Sequence, residues 1–297
     1  MKNSWFPIGY RKELLPCSLA TLLLLLTVLL PSARAQAAKE LHIAAASDLQ
    51  PVLPTLAAAY ERDTGIKVIA SFGSSATLTQ QLLNGDPQDI FLSADFVHPE
   101  QLIAAGVATG LQDDRAPTPY ARGVLVLWAR KDSPAHPLTL NILTSPKVTK
   151  IAIANAAHAP YGFAAMKALS SLHISDLVAD KLVIAENISQ TAQFAESGNA
   201  QVALISLTIA SSPHFRELGS FVRVPPESYP PIRQCGVILK SSKNLSEAQN
   251  FLRWLTSNST QRTLTKFGLD PADRYPMIVP TFHRRIRSSI LQLPSSR

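Results

Sequence analysis

Lys67-Val68-Ile69-Ala70-Ser71-Phe72 runs directly into Gly73-Ser74-Ser75-Ala76 and then into Thr77-Leu78-Thr79-Gln80-Gln81-Leu82-Leu83. The first run is short and apolar and reads as a strand. The last repeats its leucines at helical spacing until Asn84-Gly85 stops it. Small hydroxyl residues fill the turn between them, which makes Ser74 or Ser75 the helix N-cap. The first turn of a helix leaves backbone N–H groups unpaired and carries about half a positive charge, so such a turn either caps a helix or holds an anion. A single turn cannot separate these roles, but a recurrence of the pattern can.

The pattern recurs along the chain. Leu41–Ala46 reads as a buried strand, followed by Ser47-Asp48 and a helical stretch from Leu49 to Arg62 that Thr64-Gly65 closes. Asp48, an acid in the first helical turn, is expected to point outward, where the helix dipole favours it. Asp89–Ser93 is a third strand, Pro99–Ala105 a short helix, and Ala121–Trp128 a strand. Lys150–Ala154 is a strand whose loop, Asn155–Gly162, opens the helix Phe163–Leu172. Leu182–Ala185 is a strand, with Glu186-Asn187-Ile188 before the helix Ser189–Glu196. Ala203–Ile205 ends at Ser206, Gln234–Leu239 is a further strand, and Asn244 with Glu247 has capping-box spacing for a helix reaching Leu255. Ser259–Lys266 is a final helix. Strands alternating with helices indicate a parallel, doubly wound α/β sheet. In such a sheet the strand-to-helix turns lie at the carboxyl ends of the strands, where ligands bind. The turns at Ser47, Ser75, Tyr161, Ile188 and Ser206 therefore converge. None of them contains lysine or arginine, so an anion bound there is held by neutral donors and helix dipoles.

The ends of the chain account for its charge. Lys2, Arg11 and Lys12 precede a twelve-residue apolar run, Leu19–Leu30, and Ala33-Arg34-Ala35 follows. That is a secretory signal peptide over 1–35, cleaved before Gln36, because the run is well short of the ~20 residues needed to span a bilayer. Cys17 precedes the apolar run, so lipid anchoring is not expected. The mature chain of 262 residues has ample length for a core, and Cys235 is its sole cysteine, so no intramolecular disulfide forms. The formal charge of +7 divides into +3 on the leader and +4 on the tail, from Arg284, Arg285, Arg287 and Arg297; residues 36–282 are neutral. No nucleic-acid partner is expected of a neutral body. The proline-containing stretches 111–119 and 131–146 are candidate crossings between lobes, and Val224–Ile232, with four prolines in nine residues, is a stiff connector.

Catalysis finds little support. There is no Gly-x-Ser-x-Gly elbow, no Walker-type or Gly-x-Gly-x-x-Gly loop, and the seven histidines are scattered without metal-ligand spacing. A secreted α/β hydrolase-type enzyme is the alternative from another class, and His158, near the Tyr161 turn, is its one candidate base. No enzyme activity and no cofactor are expected.

Ala44-Ala45-Ala46-Ser47, Ser71-Phe72 with Ser74-Ser75 and Thr77-Leu78, Asp89-Ile90-Phe91-Leu92-Ser93-Ala94-Asp95, and Pro160 with Gly162, in this order behind a signal peptide, resemble the periplasmic molybdate-binding proteins of ABC importers. The resemblance spans residues 39–272. It implies a type II periplasmic binding-protein fold, α/β in class, with two doubly wound lobes joined by two crossover segments: 36–119 plus 233–280, and 120–232, with 281–297 as a basic tail. It further implies a monomeric periplasmic receptor that takes molybdate, and tungstate with it, and delivers the oxyanion to a membrane ABC permease; a sulfate or other anion receptor of the same fold is the alternative. By the family pattern Ser47 and Ser75 donate from the first lobe, and Tyr161 and Ile188 from the second, Ile188 through its backbone N–H. Ser206 stands where some members carry a ligand-contacting tyrosine. Molybdenum enters only as the oxyanion, through these same residues. A site of donors alone accepts a fully ionised dianion and rejects an oxyanion that keeps a proton to donate.

Overall fold

The computed structural model describes residues 39–272; the expected leader at 1–35 and tail at 281–297 lie outside them. The chain begins with strand β1 (Glu40–Ala46), a 3₁₀ turn (Ser47–Leu49) and helix α1 (Leu53–Thr64), then β2 (Lys67–Gly73), α2 (Ser75–Leu83), β3 (Ile90–Ser93), α3 (Val97–Ala104), β4 (Ala108–Thr109) and β5 (Thr118–Gly123). It then crosses into a second sheet through β6 (Leu125–Arg130), β7 (Ile151–Ala154), α4 (Pro160–Ser171), α5 (Ser175–Val178), β8 (Leu182–Ala185), α6 (Ile188–Glu196), β9 (Val202–Ser206), α7 (Leu207–Ala210), α8 (Pro213–Leu218) and β10 (Gly219–Arg223). It returns to the first sheet by β11 (Ile232–Leu239), α9 (Leu245–Leu255), α10 (Asn258–Lys266) and β12 (Asp270–Pro271).

Among the described residues the first sheet runs β12-β5-β11-β3-β1-β2, with β4 also on β11, and the second runs β10-β6-β9-β7-β8. β1 pairs in parallel with both β2 and β3, and β7 with both β8 and β9. The returning β11 is antiparallel to β3 and β5, and β6 is antiparallel to β9 and β10, so the sheets are mixed rather than purely parallel. These antiparallel members belong to the strands nearest the crossings. This is the two-lobed architecture of type II periplasmic binding proteins.

Helices cover both faces of the first sheet, which is why its central strands are almost continuously apolar. Leu41 and Ile43 of β1 and Ile90 and Leu92 of β3 pack with Tyr60, Phe251 and Leu264 beneath α1, α9 and α10. Ala44 and Phe91, of opposite parity, pack with Leu78 and Leu102 beneath α2 and α3. The Tyr60 and Phe251 rings meet edge to face at 5.0 Å, a geometry that adds about 0.5–1.5 kcal/mol beyond burial. The second lobe is built around Trp128, fully buried among Leu127, Ile151, Ile153 and Ile205.

The strand expected over 121–128 is two strands. Gly123 still belongs to the first sheet and Leu125 already to the second, so the crossing falls at Val124 and not at 119. The proline-rich 224–231 is the second crossing, whereas 131–146 stays within the second lobe, where Leu138, Leu140 and Ile142 pack on its core. The helix expected from Leu49 breaks at Pro51 into a 3₁₀ turn and α1. Asn244 does not cap α9 with its side chain, which binds Glu40 O and Asp89, while Glu247 pairs with Lys39.

Candidate functional site

Each lobe points helix N-termini at the other. Ser74 is the N-cap of α2, its Oγ accepting Thr77 N–H at 3.2 Å, which leaves Ser75 as the first helical residue at the carboxyl end of β2. Asn187 caps α6 by accepting Gln190 N–H at 3.0 Å and so places Ile188 first. Pro160 opens α4, a position where its missing N–H costs nothing, and Tyr161 follows it. Gly162 is required there: a Cβ would collide with the Ala154 carbonyl at the end of β7.

These turns line a small pocket whose walls include Ser47, Asp48, Ser75, Tyr161, Asn187 and Ile188. Of the five turns singled out in the sequence, four therefore meet there. Ser75 Oγ accepts Ala94 N–H at 3.2 Å, which leaves its own proton free to donate. The first-turn N–H groups of α2, α4 and α6 have no partner within their helices. No lysine or arginine is among the lining residues. Ser206 is not brought to the cavity. It is fully buried at the N-cap of α7, its Oγ 2.8 Å from Thr208 Oγ1, and Thr208 in turn donates to Asp48 O at 2.7 Å.

The lobes are latched around this cavity by direct hydrogen bonds. Ala76 N–H donates to His158 O at 3.2 Å, and Thr77 Oγ1 to Glu186 Oε1 at 3.1 Å. Ser189 Oγ lies 3.1 Å from Ser47 O and 2.8 Å from Gln50 Oε1. This is a closed arrangement. His158 uses its backbone in the latch, and no group of three or more His, Cys, Asp or Glu placed to hold a metal ion occurs among the described residues.

Asp48 departs from expectation. It is fully buried rather than turned outward, because the turn that carries it is 3₁₀ and lies under α6 and α7. Its Oδ2 accepts Tyr161 Oη at 3.0 Å and Gln234 Nε2 from β11, so the carboxyl links the two lobes. Asp48 Oδ1 and Gln234 Oε1 are buried with no hydrogen-bond partner among the described residues. Burial pushes the Asp48 pKa up to about 6, with the hydrogen bonds from Gln234 and Tyr161 pulling the other way. Burial, then the Asp48 charge, holds the Tyr161 phenol well above its ordinary range. The Tyr161 hydroxyl is thus engaged with Asp48. Gln234 and Ser189 went unread in the sequence. The signal for Gln234 was a lone amide within an apolar strand, a residue type rarely buried without a partner.

Two α/β lobes latched over a small cavity walled by hydroxyls and helix N-termini define a solute-binding protein. The chain belongs to the bacterial extracellular solute-binding protein family, whose model matches residues 41–270. It is 33% identical to the molybdate-binding protein ModA of Azotobacter vinelandii over 252 residues, 84% of this chain and 97% of that one. A solved structure of the periplasmic molybdate-binding protein of Azotobacter vinelandii superposes with a TM-score of 0.71 at 29% identity, covering 77% of this chain and 98% of the other. The sulfate-binding protein SubI of Mycobacterium tuberculosis shares the fold, with a TM-score of 0.67 at 14% identity over 80% of this chain and 88% of its own.

Proposed function

We propose that this protein captures molybdate, and tungstate with it, in the periplasm and delivers the oxyanion to the membrane permease of an ABC importer. The supporting observation is the closed cavity at which Ser47, Ser75, Tyr161 and Ile188 meet without a cation. In this reading Ser47 and Ser75 donate through hydroxyl and backbone N–H, and Tyr161 and Ile188 through backbone N–H. All bond the oxo groups, and none touches the metal. Fixed dipoles stabilise a dianion without a neutralising lysine, because they need no reorganisation when the ligand arrives. Cavity size then separates molybdate from the smaller sulfate, since each buried donor left unpaired costs about 1–3 kcal/mol. Ser206 has a supporting role behind the wall. The receptor acts as a monomer, with no nucleic-acid partner and no cofactor.

The names of the molybdate-binding relatives support molybdate, and the fold shared with a sulfate-binding protein favours sulfate as the second reading. Calorimetric titration with molybdate, tungstate, sulfate and phosphate decides between them. Tight molybdate and tungstate binding is expected, and tight sulfate binding without molybdate binding overturns the first reading.

A further inference from the structure

A buried carboxyl in the wall of an anion cavity calls for an electrostatic account. Asp48 is fully buried, lines the same small pocket as Ser47 and Ser75, and commits Oδ2 to Tyr161 and Gln234. Its other oxygen, Oδ1, is buried and unpartnered. An ionised carboxylate facing a dianion in a medium of low dielectric constant repels it strongly, and no lysine or arginine lines the cavity to offset that repulsion. A protonated carboxyl has the opposite effect, because its O–H is one more donor to an oxo group. We propose that Asp48 takes part in holding the anion: a single proton shared between Asp48 Oδ1 and the bound oxyanion is part of the complex. This rests on the oxyanion reading of the cavity.

No bond between heavy atoms is made or broken. A proton-free dianion draws the proton from solvent on to Asp48, whereas an oxyanion that carries a proton brings it along and donates it to the carboxylate. The groups around Asp48 leave it as the one that changes charge. Tyr161 on α4 and Tyr120 on β5 have phenols pushed well above their ordinary range by burial, and Cys235 on β11 likewise, so all three are neutral at pH 8. Tyr229, at the second crossing, is raised as well. Gln234 on β11, Ser189 on α6, and Ser206 and Thr208 around the start of α7 are neutral polar groups. Arg233 is next in sequence to Gln234 on β11, so alternation sends it to the other face of the sheet, and Arg122 on β5 is its cross-strand partner on that face.

The test is calorimetry of wild-type protein at pH 8 in two buffers of different ionisation enthalpy, with molybdate and with sulfate, both proton-free at that pH. The proton count is read on whichever binds. Expected are an uptake near one proton per anion and an affinity that falls about tenfold per pH unit above the Asp48 titration and is flat below it. Asp48→Asn, which keeps shape and can still donate, should lose the uptake and the pH slope. A wild-type uptake near zero overturns the proposal, as does an unchanged uptake in D48N. The wild-type count needs no variant to fold. Binding of sulfate and not molybdate, with one proton taken up, would overturn the molybdate reading and leave this one standing; binding of neither overturns both.

Discussion

Gly123 lies against the Tyr161 hydroxyl so closely that a Cβ on the glycine would overlap it and press on Ile232 as well. The glycine ends β5 at the crossing, and the tyrosine comes from the opposite lobe and carries the bond to Asp48. Gly123→Ala should therefore displace Tyr161 and hold the lobes apart. Overpacking of this kind costs about 1–3 kcal/mol. We expect anion affinity to fall about tenfold or more with a smaller change in the melting temperature of the ligand-free protein; calorimetry and thermal unfolding of G123A measure the two.

Ser74 and Ser75 are adjacent, yet their losses should be felt in different assays. Ser74→Ala removes the cap of α2 and should lower stability by about 1 kcal/mol, with binding changed only weakly. Ser75→Ala removes a donor to the cavity and should weaken molybdate binding by about 1–3 kcal/mol. Denaturation and titration of the two variants side by side check the separation. Equal effects of both in both assays would contradict it.

Ser189 holds Ser47 O and Gln50 Oε1 from across the cleft. Ser189→Ala leaves every proposed donor in place but loosens the closed state, so ligand release should accelerate severalfold while association changes little. Stopped-flow exchange of bound anion gives both rates.

Asp48 should also set a pH dependence of stability in the ligand-free protein. Its folded pKa is raised from 3.8 to about 6, so the folded state holds the proton more tightly than the unfolded chain. The stabilisation is complete below the unfolded value and is lost as pH rises through about 6, amounting to about 3 kcal/mol at most. Asp48→Asn should abolish this loss and be more stable than the wild type at pH 8, as urea unfolding at pH 4.5 and pH 8 would show.

The strand-to-helix turns were legible because a strand, a cap residue and a helix lie within a dozen positions, as at 67–83. Ser75, Tyr161 and Ile188 were found in this way, since local chemistry places each at a helix start. Asp48 was misread because local chemistry was applied to a residue whose position is set by Tyr161 and Gln234, distant in sequence. The split at Val124 was hidden for a related reason. Ala121 to Trp128 is one continuous run to any periodicity, and only pairing with β11 on one side and β9 on the other divides it. Ser206 had the right residue type at a strand end, but its helix, α7, is four residues long and its hydroxyl is consumed in capping it.

The crossing at Val124 is one residue long, and its neighbours are pinned on both sides: Gly123 faces Ile232 in one sheet, while Val224 N–H binds Leu125 O in the other. With the second crossing, 224–231, stiffened by its prolines, such a joint favours rotation over sliding. On the proposed reading, filling the pocket would fix the angle between the two lobes and with it the spacing of their outer surfaces, a distance that a permease would read without meeting the ion.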